Sequence, residues 1–243
     1  MIPAGACVVG ATGGSGTRVV AKILRRAGMF VGAWTNEALD ALPLTGTLHL
    51  RLPLYVAGTD RGVFERSFLR LLDEHLEDRP PGAPWGWKSP RTIYAIEFLA
   101  KRLPGMRFLQ VVRDGRDMAF SGNQQQVQDF GPILLPAALQ DASAPERAIA
   151  LWSRVNCDAA DTGQRLLGDA FATVRFEDLC ARPVEEAGRI LRFFGLDPAA
   201  AELARDEVRP PETIGRWRSH EELAPRLEEL GHAGLVRFGY LDA

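Results

Sequence analysis

Near its beginning the chain runs Ala6-Cys7-Val8-Val9-Gly10, breaks into the turn Gly10-Ala11-Thr12-Gly13-Gly14-Ser15-Gly16, and passes from Thr17 into a helical pattern. No other feature restricts the possible folds as much. The first stretch is apolar without alternation, the pattern of a strand buried on both faces. After the turn, Val19, Val20, Ile23, Leu24 and Ala27 recur at helical spacing, with Lys22, Arg25 and Arg26 opposite and Gly28 closing the helix. Strand, glycine loop and helix, in that order, open a βα unit, so a parallel sheet covered by helices is expected.

Later segments fit the same plan. Phe108-Leu109-Gln110-Val111-Val112 and Phe171-Ala172-Thr173-Val174-Arg175-Phe176 read as two further strands. Helical periods cover Phe64–His75, Ile93–Leu103, Ala144–Leu167 and Val184–Phe194, separated by breakers such as Pro80-Pro81-Gly82 and Pro104-Gly105. Gly131–Pro145 reads as a mobile lid, and the tail from Arg209-Pro210-Pro211 as loop followed by a short helix near Glu221. A chain of 243 residues, 46% hydrophobic, can bury a full core without staples. The expected architecture is a single α/β domain over residues 1–243, three layers α/β/α with a central parallel sheet, P-loop-like.

Composition removes several functions. Twenty-nine Lys and Arg against 31 Asp and Glu leave a formal charge of -2, so no nucleic-acid partner is expected. No apolar run reaches the roughly 18 residues of a membrane span, and no basic segment precedes the short apolar run at the start, as a secretory leader would require. Cys7, Cys157 and Cys180 are odd in number and far apart, and His49, His75, His220 and His232 fall at no metal-ligand spacing. Together these readings predict a cytoplasmic, reduced, metal-free protein.

The glycine loop points backbone N–H groups and a helix N-terminus at one place, which suits an anion such as phosphate. Three readings compete for it. Gly10, Gly13 and Gly16 match the dinucleotide loop of short-chain dehydrogenases, an NAD(P)-binding alternative, but none of Tyr55, Tyr94 and Tyr240 is followed four positions on by Lys. A Walker A loop would put lysine where Gly16 stands. The third reading covers more of the chain. Ser15-Gly16-Thr17 opening a helix resembles the 5′-phosphosulfate loop of sulfotransferases that use 3′-phosphoadenosine-5′-phosphosulfate (PAPS).

Four more segments, in order, carry the same resemblance. Arg113 leaves a strand end and Ser121 follows eight positions on, similar to the family's 3′-phosphate motif. An Arg at that edge offers a planar fork to a phosphate. Trp87-Lys88-Ser89-Pro90 resembles a segment whose Lys reaches the phosphosulfate, and Arg175-Phe176-Glu177-Asp178-Leu179 with Pro183 resembles a structural strand and turn. Ile214-Gly215-Arg216-Trp217 is similar to a late segment that closes over the nucleotide, which implies Trp217 stacking on adenine and Arg216 meeting the 3′-phosphate.

The resemblance implies in-line sulfuryl transfer from PAPS to an acceptor hydroxyl or amine, without metal. Gly13, Gly14, Ser15, Gly16, Thr17 and Arg18 would line the donor site, and Lys88 would act in catalysis. One departure stands out: Gly14 occupies the place of the family's basic residue, so Arg18 or Lys88 must supply that charge. Glu37 lies where related enzymes carry a catalytic Glu, with Asp40 the nearby alternative. A non-catalytic nucleotide-binding module would keep Arg113 and Ser121 while tolerating loss of Lys88 or Glu37. The acceptor is left open: a small molecule, a glycan, a lipid or a peptide.

Overall fold

The computed structural model describes residues 2–242. Four strands, β1 (Cys7–Ala11), β2 (Gly86–Lys88), β3 (Arg107–Val112) and β4 (Phe171–Arg175), form one sheet in the order β2-β1-β3-β4. All three pairings are parallel. Val9 lies opposite both Lys88 and Leu109, and Val112 lies opposite Arg175. The carboxyl ends of β1, β2 and β3 therefore deliver the glycine loop, Lys88 and Arg113 to one edge, where ligands of open α/β sheets bind.

Among the described residues, twelve α-helices connect and cover the strands. In chain order they are α1 (Thr17–Arg26), α2 (Leu42–Leu50), α3 (Leu52–Val56), α4 (Arg61–Leu76), α5 (Ile96–Arg102) and α6 (Gly115–Ala119). There follow α7 (Gln125–Leu134), α8 (Ala144–Leu167), α9 (Phe176–Ala181), α10 (Pro183–Phe194), α11 (Ala204–Glu207) and α12 (Ala224–Arg237).

Alternation along the strands separates two cores. Val8 and Phe108 face a cluster with Leu44, Leu48, Phe64, Phe68 and Trp87. Val9, Ala11, Leu109 and Val111 face the other way, against Val20, Ile23 and Leu24 of α1 and Ile190 and Leu191 of α10. Each fully buried side chain of this size contributes about 1.5–3 kcal/mol, so a five-residue strand holds its register through its faces as well as its hydrogen bonds. The result is the expected three-layer α/β domain.

Two elements go beyond the sequence reading, and one expectation needs correction. Strand β2 is only three residues long, too short to show a period, and carries a single tryptophan, Trp87. In the tail a 3₁₀ turn over Arg216–Leu223 follows the loop, as expected near Glu221, and beyond it runs a 14-residue helix, α12, held on α8 where the Gly234 amide donates to Ser153 Oγ at 2.9 Å. Its Leu227, Leu235 and Phe238 form a third core with Val112, Met118 and Trp152. Residues 131–145 are not a free lid. They comprise the end of α7, a 3₁₀ turn and the start of α8, and Gln140 donates from its amide to the carbonyl of Leu135 at 2.9 Å.

Candidate active site

The loop from Thr12 to Gly16 closes on itself before it offers anything to a ligand. Ser15 Oγ donates to the Thr12 carbonyl at 2.7 Å and lies 3.2 Å from Thr12 Oγ1. With Ser15 and Thr17 buried, the outward surface is mainly backbone, the requirement of an anion cradle. Gly16 takes φ +83° at the head of α1, and a Cβ there would lie 2.2 Å from the Phe176 ring. Gly14 takes φ +90°, and a Cβ would meet Met118 Cε at 3.1 Å and Ser121 Oγ at 3.2 Å. The family's basic residue has no relaxed place at position 14. The same contact brings Ser121 against the loop although more than 100 residues separate them in sequence.

Arg113 follows β3 and is buried. Its Nη2 donates to the Thr213 carbonyl at 2.6 Å and to Thr213 Oγ1 at 3.0 Å, and lies 3.6 Å from Asp117. Its Nε is buried with no hydrogen-bond partner. Beside it opens a cleft of about 290 Å³, lined by Gly16, Arg18, Val19, Phe176 and Pro211 among others. The Phe176 ring centroid is 5.5 Å from the Arg113 guanidinium. A buried cation with an unmet donor beside an open cleft is a place for an anion.

Arg216 donates to the Phe120 carbonyl at 3.1 Å and to the Thr213 carbonyl at 3.3 Å. Burial, and then the charge of Arg113, hold its guanidinium below the usual range. Around Arg216 the acting charges are the cation Arg113 and the carboxylate Asp117, so two cations share one carboxylate beside the cleft that Arg113 lines. Trp217 is the next residue of the chain. Its ring packs against the guanidinium groups of Arg116 at 4.2 Å and Arg218 at 4.9 Å, and it does not line the cleft. Among the described residues the aromatic side chain lining the cleft is Phe176, from the segment whose expected role is mainly structural.

Lys88 ends β2, is buried, and places Nζ 2.5 Å from Asp40 Oδ1. Asp40 closes a short hairpin: its amide donates to Asn36 Oδ1 at 2.9 Å, and Asn36 Nδ2 donates to its Oδ2 at 3.1 Å. Burial pushes the Lys88 ammonium below its ordinary pKa, with Asp40 opposing and Arg18 adding to the fall. Glu37 is exposed at the hairpin tip and has no hydrogen bond or ion pair among the described residues. Of the two candidate bases, Asp40 is the one joined to Lys88. Arg18 is likewise exposed and carries no ion pair among the described residues, and it lines the cleft beside Arg113.

Comparison with known proteins settles the family. The sequence model of the sulfotransferase family matches residues 15–200. This chain belongs to the sulfotransferase family. Solved structures agree on the fold. A sulfotransferase from Mycobacterium tuberculosis is 14% identical with a TM-score of 0.57, over 95% of this chain and 77% of that one. One from Alicyclobacillus acidocaldarius is 15% identical with a TM-score of 0.52, over 96% and 97%. Retinol dehydratase in complex with androsterone and inactive cofactor PAP is 13% identical with a TM-score of 0.50, over 97% and 82%. No curated protein matches the sequence. As a sulfotransferase the chain is a transferase of single-domain α/β build, and among its described residues no helix is long and apolar enough to cross a membrane. The dehydrogenase alternative has no support.

Proposed function

We propose that this sulfotransferase takes its sulfuryl group from PAPS and passes it to an acceptor hydroxyl or amine. The observation that carries the donor assignment is Arg113, buried with an unmet Nε beside a cleft that also touches the glycine loop. A donor bisphosphate fits that description, since it brings one phosphate to the loop and another to the strand end. In this reading Gly13, Gly14, Ser15, Gly16 and Thr17 hold the 5′ side through backbone N–H groups at the start of α1. Arg113, Ser121 and Arg216 hold the 3′-phosphate, and the Phe176 ring backs the base.

When bound, such a donor supplies an activated sulfuryl group. The acceptor oxygen or nitrogen bonds to sulfur, the bond from sulfur to the bridging phosphate oxygen breaks, and the bisphosphate leaves. The chain positions the two partners, balances charge and takes the acceptor's proton. Arg18 and Lys88 stand in for the cation absent at Gly14. Asp40, held by Asn36 and Lys88, receives the proton in preference to the solvent-facing Glu37. The three free thiols, Cys7, Cys157 and Cys180, fit a reducing cytoplasm.

The test is ligand-dependent thermal stability. At about 100 times Kd a ligand adds about 2.7 kcal/mol of stability. Stabilisation by 3′-phosphoadenosine-5′-phosphate, with little effect from AMP, ATP or NAD, is the expected result. Equal stabilisation by AMP would overturn the 3′-phosphate assignment.

A further inference from the structure

Among the described residues, the large hydrophobic side chains that stand exposed are Trp34, Leu42, Leu50 and Leu54. All four lie between residues 34 and 54, the segment that carries Asp40. Trp34 is 69% and Leu50 77% exposed. Helix α2, Leu42–Leu50, contains no charged residue. Its inner face, Leu44, Thr47 and Leu48, is buried, with the two leucines in the core beside Phe64 and Phe68 of α4. Its outer stripe, Leu42, Gly46, His49 and Leu50, follows helical spacing and is open. A helix apolar on both faces is ordinarily covered on both. Here the chain covers one.

The stripe begins at the catalytic hairpin. The Leu42 amide donates to the Trp34 carbonyl at 2.9 Å, and a bridge pairs Thr35 with Ala41. Trp34 and Leu42 thus flank the neck of the loop whose Asp40 meets Lys88. From there α2 carries the apolar surface over roughly 13 Å toward Leu50, and Leu54 extends it. Apart from Asp40, paired with Lys88, the charges close to it in sequence or acting on His49, Glu37, Asp60 and Asp129 against Arg51, Arg61 and Arg91, balance, so neither an anionic nor a cationic body is favoured.

We propose that this stripe is the acceptor platform and that the acceptor is a neutral amphiphilic alcohol with an extended apolar body. Its hydroxyl meets Asp40 and Lys88, and its aliphatic or fused-ring body lies along Trp34, Leu42 and Leu50. This deepens the proposed sulfuryl transfer and rests on it. A second copy of the chain is a poorer occupant. A stable protein interface needs about 800 Å² from each partner, far more than four side chains offer. An anionic bilayer would call for a basic surround, and the flanking charges are mixed.

Straight-chain alcohols from 1-butanol to 1-octanol, supplied with PAPS, test the class. Full burial of a methylene is worth about fourfold in affinity, and one-sided contact about half that free energy, so kcat/KM is expected to rise roughly twofold per added methylene. Leu50→Ser and Trp34→Ser should flatten that rise while leaving bisphosphate binding unchanged. Calorimetric titration of 1-octanol into the bisphosphate-bound protein should show binding that weakens in Leu50→Ser. A flat chain-length profile with intact bisphosphate binding would overturn the acceptor inference alone. So would a dimer, seen by ultracentrifugation, that Leu50→Ser dissolves, or binding to phosphatidylcholine vesicles that the same change abolishes. Loss of bisphosphate binding in the unaltered protein would defeat the donor reading instead, and 1-octanol titrated into the free protein would then decide the platform separately.

Discussion

In the loop between β1 and α1, Gly16 faces the Phe176 ring, Gly14 faces Ser121 and Met118, and Ser15 hydrogen-bonds back to Thr12. Across Lys88, the segment from Trp34 to Leu54 turns four large apolar side chains to solvent. The first region has little freedom left, and in the proposed function it meets the same chemistry in every turnover, phosphate and phosphosulfate. Fixed donors are most effective when they need no reorganisation, so glycines and buried hydroxyls suit it. The second, as the proposed platform, meets an acceptor whose body can differ while the donor stays the same. Non-directional apolar contact on a helix face can receive such a body without a dedicated set of hydrogen bonds. On that reading the contrast teaches that the family signature tracks the donor, while acceptor choice lies in surface that carries no motif.

The largest effect expected falls on the border between the two regions. Asp40→Asn keeps the shape of the hairpin but removes the proton acceptor, and kcat should fall by roughly 10²–10⁴-fold. Glu37→Gln should change kcat much less. The opposite ranking in steady-state kinetics would return the base to Glu37 and detach it from Lys88.

Next comes a change inside the rigid region. Gly16→Ala needs a Cβ where Phe176 stands, at φ +83°. Overpacking and left-handed strain together should cost about 3 kcal/mol in urea unfolding, with bisphosphate binding weakened as well. An equivalent change on the open helix, Gly46→Ala, meets nothing within 4 Å and should cost nothing or stabilise slightly. Similar costs at both glycines would erase the comparison.

Arg113→Ala should weaken the bisphosphate by roughly tenfold or more, a charge-assisted contact of about 1.5–3 kcal/mol, while AMP affinity barely moves. Equilibrium binding of both nucleotides to one variant checks this. Loss of both to the same degree would mean Arg113 supports the cleft and does not read the 3′-phosphate.

The smallest effect lies away from both regions and calibrates them. Glu146 caps α8 with Ser143 and pairs with Arg226, and those hydrogen bonds draw its carboxyl down from 4.5 to about 2. A depressed carboxylate stabilises the fold above its unfolded pKa and loses that contribution as pH falls through the folded one. Glu146→Gln should therefore cost about 1 kcal/mol at neutral pH, with the difference shrinking between pH 4.5 and 2. Unfolding curves across that range are the measurement, and a difference that grows on acidification would contradict the pairing.

Much of the donor side was legible because its demands are local. A strand that stops at glycines, an Arg at a strand end and a Ser eight positions later are each short-range patterns imposed by backbone geometry. What could not be read was which distant segments meet them. Thr213 fixes Arg113 from a loop 100 positions away, and nothing in Thr213's neighbours marks it. Phe176 could have been found, since it lies in a segment singled out for its strand and turn, but an aromatic beside Arg175 carries no sign of which way it faces. Trp217 shows the same difficulty in reverse, because its two guanidinium neighbours, Arg116 and Arg218, come together only when α6 and the late segment pack.

Hydrophobic periodicity alone determined that this chain builds a parallel α/β sheet with its glycine loop at a helix N-terminus, because strand burial and helix amphipathicity are written in consecutive residues. Composition set its lack of basic excess, and five short segments in order indicated the sulfotransferase family. Only the tertiary structure decided that Gly14 takes a left-handed turn that strains any side chain there, that Lys88 pairs with Asp40 and leaves Glu37 in solvent, and that an uncharged helix lies open beside them. Those are relations between residues far apart in sequence. They depend on how three cores pack against one sheet, and packing is a property of the assembled side chains that no single stretch of sequence contains.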